Sequence, residues 1–177
     1  MLNIIRYPLD GELQLIQDDW QLIAKDSTHL PLNGRCLVPF SYWAENINQH
    51  DLQKKALSGE LGVWFSSDDD LPLHKETILL GLKVWTVVAV DFPIFRDGRG
   101  FSMAAILRDR YGWNGQLRAI GDVLIDQLLQ MSKVGFDEFI LRQDQSVTVA
   151  LDQFQIYSHR LQNDWRSDRA QLGGIES

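Results

Sequence analysis

Residues 87–141, VVAVDFPIFRDGRGFSMAAILRDRYGWNGQLRAIGDVLIDQLLQMSKVGFDEFIL, alternate short apolar runs with stretches of helical periodicity. Val87 to Val90, Leu117 to Ile120 and Phe139 to Leu141 are too short for helices and apolar at nearly every position, as strands covered on both faces are. Gly62 to Phe65 has the same character upstream. Between these runs, Gly100 to Tyr111 sets Met103, Ile106, Leu107 and Tyr111 along one side and assigns Arg108, Asp109 and Arg110 to solvent. Asp122 to Lys133 aligns Leu124, Leu128 and Met131 beside Ile125 and Leu129. Strand, helix and strand joined by short connections imply parallel strands with right-handed crossovers. The expectation is an α/β fold: a small parallel sheet of about four strands, open or partial-barrel-like, with crossover helices.

Outward from that core, Ile4 to Tyr7 and Leu13 to Ile16 flank Pro8-Leu9-Asp10-Gly11, and Asp-Gly between apolar runs predicts an N-terminal antiparallel hairpin. Phe40 to Leu57 is loosely helical, with Ser41 as a cap and Gly59 as a stop. A last helix follows the N-cap Ser146, with Val147, Ala150, Leu151, Phe154 and Tyr157 inward. The division expected is a single domain over residues 1–162, made of an extension (1–60) and a βα core (61–162), followed by a polar tail at 163–177.

Bulk composition removes several function classes. The chain has 177 residues, 45% of them hydrophobic, enough for one substantial core. Seventeen basic against 24 acidic residues give a net charge of −7, so no broad positive field exists to hold nucleic acid. A single cysteine, Cys36, allows neither an internal disulfide nor a cysteine-ligated zinc or iron–sulfur centre within one chain, and points to a reducing, cytoplasmic setting. The N-terminus lacks secretory-signal features, and Thr77 to Val90, interrupted by Lys83, is too short to cross a bilayer. His29, His50, His74 and His159 form no ligand spacing, and Asp68-Asp69-Asp70 reads as a solvated run rather than a cation site. No metal or cofactor is expected. Nucleotide-binding glycine loops, C-x-x-C-H and G-x-S-x-G are all absent from the sequence. Trp64 and Trp85 read as core residues.

In such a sheet the ligand edge lies at the C-terminal ends of the strands. Those ends carry Ser66 to Asp70, Asp91 to Gly100, Gly121-Asp122 and Arg142-Gln-Asp144. Asp91, Asp97 and Asp122 are candidate acids, bases or magnesium ligands, Arg99 and Arg118 candidate anion binders, and Asp126 and Gln127 their supports. Gly98 and Gly100 permit a tight turn before a helix whose free N–H groups favour an anion. A purely structural account stands beside this one: Asp91 caps a turn, Asp122 caps a helix, and Arg118 pairs with Asp91 or Asp122.

The strings FPIFRDGRG and LRAIGDVLIDQL, with the earlier GVWFSSDDD at 62–70, resemble a bacterial family catalogued as domain of unknown function 934. The resemblance covers the middle and C-terminal half, and the first sixty residues match loosely. Its pattern residues here are Asp91, Phe92, Pro93, Asp97, Gly98, Arg99, Gly100, Leu117, Arg118, Gly121, Asp122, Asp126 and Gln127. Gln116 stands where the family usually has Glu, and Lys133-Val134 where it has Arg-Cys, so thiol chemistry at 134 is unavailable. The resemblance implies an oxidoreductase label and a place in assimilatory sulfite reduction, carried over from gene neighbourhood. Six-electron reduction of sulfite needs metal or flavin centres, and this chain offers neither cysteine ligands nor a recognised cofactor motif. The first expectation is therefore an accessory protein of sulfate and sulfite reduction that binds a small anion or a pathway protein at this edge and is able to self-associate. The alternatives are a small acid/base or magnesium-dependent enzyme acting on an anion, and a structural interaction module.

Overall fold

The structure is a computed structural model that describes residues 3–8, 11–27, 29–31 and 33–154. Eight strands form one sheet: β1 (Asn3–Arg6), β2 (Gln14–Gln17), β3 (Trp20–Leu22), β4 (Arg35–Pro39), β5 (Leu61–Phe65), β6 (Val87–Phe92), β7 (Gln116–Gly121) and β8 (Glu138–Phe139). Their spatial order is β2-β1-β8-β7-β6-β5-β4-β3. Strands β3 to β8 run parallel, and β1 joins β8 antiparallel and turns back through β2.

The small sheet of about four strands is thereby corrected. The four expected strands are β5 to β8, adjacent and parallel as their apolar runs imply, but the sheet continues past them on both sides. β3 and β4 come from the part of the chain read as hairpin and helix. β3 has three residues with only Trp20 buried, so it carries no periodic signal, and β4 ends on a proline. The expected hairpin is present as β1–β2, with Ile4 opposite Ile16 and Ile5 opposite Leu15.

Six α-helices lie among the described residues: α1 (Phe40–Asn46), α2 (His50–Leu57), α3 (Lys75–Gly81), α4 (Arg99–Ala105), α5 (Leu128–Lys133) and α6 (Val147–Gln153). The expected helix over 40–57 is two helices broken before His50, and the first starts from Pro39 without a side-chain cap. Ser146 does cap α6, its hydroxyl accepting from the Val149 N–H. Tyr157 and the tail at 163–177 lie outside the described residues. No helix among the described residues is long and apolar enough to cross a membrane.

The two faces of the sheet differ. Alternate strand residues (Val38, Val63, Phe65, Val88, Val90, Leu117, Phe139) pack with helix residues such as Trp43, Ile78, Leu107 and Met131 in the main core. The opposite face holds a small cluster of buried strand residues, Trp20, Leu37, Trp64, Val87, Ala89 and Ile120, with the partly buried Ile140 packed against it. Arg118 also lies there, 1% exposed, although no helix contributes to that cluster. Burial without a covering layer follows from curvature, since the sheet forms a half-barrel whose inner face closes on its own side chains. Trp85, in the main core, and Trp64, on the inner face, are both buried, as expected.

Candidate functional site

The C-terminal ends of the parallel strands bring together most of the residues singled out in the sequence. After β6 the chain runs through Pro93, Ile94, Phe95, Arg96 and Asp97 before entering α4, and this loop is fastened from three sides. The Phe95 N–H donates to Asp122 Oδ2 at 2.8 Å, and Gln127 Nε2 donates to the Phe95 carbonyl at 2.6 Å. The Asp97 N–H closes a turn onto the Ile94 carbonyl at 2.9 Å. Asp97 then receives the Arg99 side chain through Nε at 2.9 Å and Nη2 at 2.6 Å, while Arg99 Nη1 donates to Asp68 on the loop after β5. Asp122 is held in turn by Arg142 Nη1 at 2.8 Å, and Arg142 also grips Asp144. Ile94 and Phe95 remain exposed, at 42% and 38%.

The charge states follow from this wiring. The Arg99 guanidinium holds the Asp97 carboxyl well below the usual carboxylate range. The Phe95 N–H, and then Arg142, lower Asp122, and Arg142 lowers Asp144. Asp91 is pushed upward by burial, against the field of Lys25, and no hydrogen bond from the described residues reaches its carboxylate. Burial likewise raises Asp69 despite a bond from the Ser66 N–H at 2.7 Å.

Two glycines are required here on steric grounds. Gly121 has φ +90°, and a Cβ there would lie 2.5 Å from Asp91 Oδ1. A Cβ on Gly100 would lie 2.5 Å from the Phe92 ring, which α4 overlies. At Gly98 nothing stands within 4 Å, and its φ of −75° suits any residue, so the structure gives no reason for glycine there.

Several single-residue expectations change. Asp122 does not cap a helix: a 3-10 turn at Ile125–Gln127 precedes α5, and the Asp122 side chain reaches back to the Phe95 loop. Asp126 is exposed, and no hydrogen bond or ion pair joins it to the loop. Arg118 is not part of this edge. It lies on the inner face, donating from Nε to Glu138 Oε2 at 2.8 Å and from Nη1 to Asp18 at 3.1 Å, rather than pairing with Asp91 or Asp122. Arg6 meets the same Glu138. Arg108, assigned to solvent, has a fully buried side chain that donates to the carbonyls of Gly135, Trp113 and Gly115 and to Asp137. A π-helical turn at Ile106–Arg110 extends α4, and Arg108, four residues after the buried Ala104, lies on the buried side with it. Sequence reasoning missed Glu138, Asp18 and Arg6, whose one available signal was an acidic residue beside the apolar run that begins at Phe139.

Arg99 thus spends its forked donors on two carboxylates, and carboxylates outnumber arginines around the loop. No three histidine, cysteine, aspartate or glutamate residues cluster as metal ligands among the described residues. The residues that build the loop lie within 62–172, the span matched by a family model described as bacterial protein of unknown function (DUF934). The chain belongs to this family. No curated protein and no solved structure matches it. Within DUF934 the matched span takes in the loop, Asp122, Gln127 and Arg142, but leaves out Arg6 and Asp18, the partners of the inner-face network.

Proposed function

We propose that the chain is an accessory protein of assimilatory sulfite reduction that docks a protein of that pathway through the loop at 93–98. The observation that carries this reading is the fastening of Phe95. Both of its backbone polar groups are occupied by Asp122 and Gln127, while its ring and Ile94 face solvent. A loop locked in one shape with apolar side chains outward loses little conformational entropy on binding, which is where a docking anchor gains affinity. Covering each of the two side chains contributes about 1.5–3 kcal/mol. Asp68, Asp97, Asp122 and Asp144 surround the tip with Arg99 and Arg142 between them, and Arg96 stacks 5.6 Å over the Phe95 ring, so the complementary surface is an apolar pocket with a rim of both charge signs. The pathway assignment rests on the family resemblance, and the absence of encoded redox ligands makes a binding role more economical than a reductase role.

The test is capture by the tagged full-length protein from cells grown on sulfate as sole sulfur source. A sulfite-reduction protein is expected to co-purify with the parent and to be lost with Phe95→Ala, at an unchanged melting temperature. Capture of no pathway protein by the parent, or equal capture by Phe95→Ala, overturns the reading.

One observation favours a second reading, a small acid/base enzyme acting on an anion. Asp91 sits half-buried at the strand end with a raised pKa and no hydrogen-bond donor among the described residues, as a general acid or base is arranged. Asp91→Asn separates the two. Loss of growth on sulfate with partner capture intact selects the enzyme, and normal growth selects the docking protein.

A further inference from the structure

At the opposite end of the parallel strands the inner face opens into a cavity of about 360 Å³ that the loop at 93–98 does not touch. Its wall includes Arg6 from β1, Trp20 from β3, Arg35 from β4, Arg118 from β7, and the amides of Gln17 and Gln116. We infer that this cavity is a binding site for a small organic anion bearing a phosphate or carboxylate group.

Charge placement is the first argument. In a chain of net charge −7, three arginines meet in one cavity wall, with Asp19 the single carboxylate among them. The two carboxylates that balance Arg118, namely Glu138 and Asp18, do not line the cavity. Glu138 is fully buried and holds both Arg6 and Arg118 in place by ion pairs. Arg118 is 1% exposed with its donors on Glu138 and Asp18 and so backs the wall. The partly exposed Arg6 and Arg35 face the hollow, held by Glu138 and Asp19 for an incoming anion.

Unspent donors supply the second argument. Arg35 uses Nη1 on Asp19 and stacks 5.6 Å over the Trp20 ring, leaving Nε and Nη2 without a partner among the described residues. Arg6 uses Nε and Nη2 on Glu138 and leaves Nη1. The side-chain amides of Gln17 and Gln116 likewise make no hydrogen bond among the described residues. The volume lies at the small end of the range for metabolite pockets, larger than a bare inorganic ion needs. The indole of Trp20 offers an apolar wall for the organic part.

The test is melting of the full-length protein against inorganic phosphate and, separately, malonate, each compared with chloride at equal ionic strength. A saturable rise with one of them and not with chloride is expected, and which of the two raises it tells a phosphoryl from a carboxyl ligand. Arg35→Gln is half-exposed and is expected to fold normally while weakening the effect about tenfold or more, as loss of a hydrogen bond to a charged group does. Should that variant fold poorly, Gln17→Glu, on an exposed strand residue, places a like charge in the wall and is expected to weaken binding in the same way. Phe95→Ala is expected to leave the effect untouched, so the outcome is independent of the docking reading. No rise beyond chloride with either anion, or an undiminished rise in the altered wall, shows that the arginines only fasten the hairpin to the sheet, and the inference falls.

Discussion

Gly121 shows how closely a single residue is constrained at the strand edge. Its positive φ and its contact with Asp91 leave no room for a side chain, so Gly121→Ala is expected to cost about 1–3 kcal/mol in urea unfolding. Asp91 behaves in the opposite sense. Its folded pKa is raised, so its stabilising contribution is fully present below the unfolded value of about 4 and is lost as pH rises through the folded value. Asp91→Asn is therefore expected to melt higher than the parent near neutral pH and to lose that advantage below about pH 4, measured across a pH series. A lower melting temperature at neutral pH would reveal a partner for the carboxylate. Asp97, Asp122 and Asp144 have lowered values, so their contribution is present above about pH 4 and fades as pH falls through the folded values. Arg118→Ala leaves the buried Glu138 with Arg6 alone and is expected to cost roughly 3–5 kcal/mol. That Arg118 sits in a strand and pairs with a carboxylate was legible in the sequence. The partner was not, because Asp18 and Glu138 lie 100 and 20 residues away in the chain.

Between elements, the deciding joint is the one that Arg108 makes. From the π-helical turn its guanidinium ties α4 to the loop before β7 and to the turn before β8, meeting three carbonyls and Asp137. Arg108→Leu strips those acceptors of a buried donor and removes the Arg108 ion pair from Asp137, so a loss of about 3–5 kcal/mol is expected in urea unfolding. A loss below about 1 kcal/mol would mean that water replaces the guanidinium. Helical periodicity placed Met103 and Leu107 correctly on the buried side. Arg108 follows the buried Ala104 by four residues, so its assignment to solvent went by its charge and against its spacing. The helix expected over 40–57 is two helices, since apolar spacing survives a break that only backbone geometry records.

At the scale of the molecule, the sheet does not respect the family span. The match begins at residue 62, inside β5, yet β1 to β4 precede it and supply half of the strands. A fragment of residues 61–177 would expose β5 and β8 as bare edges and lose Arg6 and Asp18 from the buried network. It is expected to lack cooperative urea unfolding and to aggregate in gel filtration, whereas the full chain unfolds in one transition. A fragment that is monomeric and unfolds cooperatively would show that the first sixty residues are an appendage.

The parallel core was written into the chain because strands covered on both faces must be apolar at consecutive positions, and because β5 to β8 follow one another through connections that force the same direction. The hairpin was legible for the local reason that Asp-Gly turns a chain back on itself. The loop fastening was half legible. The sequence placed Asp97, Asp122 and Gln127 on one edge, and only the fold made two of them hold the backbone of Phe95. Tertiary structure alone decided the rest. β3 and β4 gain their pairing from neighbours rather than from their own pattern, and the curvature that buries Arg118 is a property of the whole sheet. The arginine-lined cavity follows from both, since its wall draws on residues from Ile4 to Arg118 whose proximity no local signal encodes.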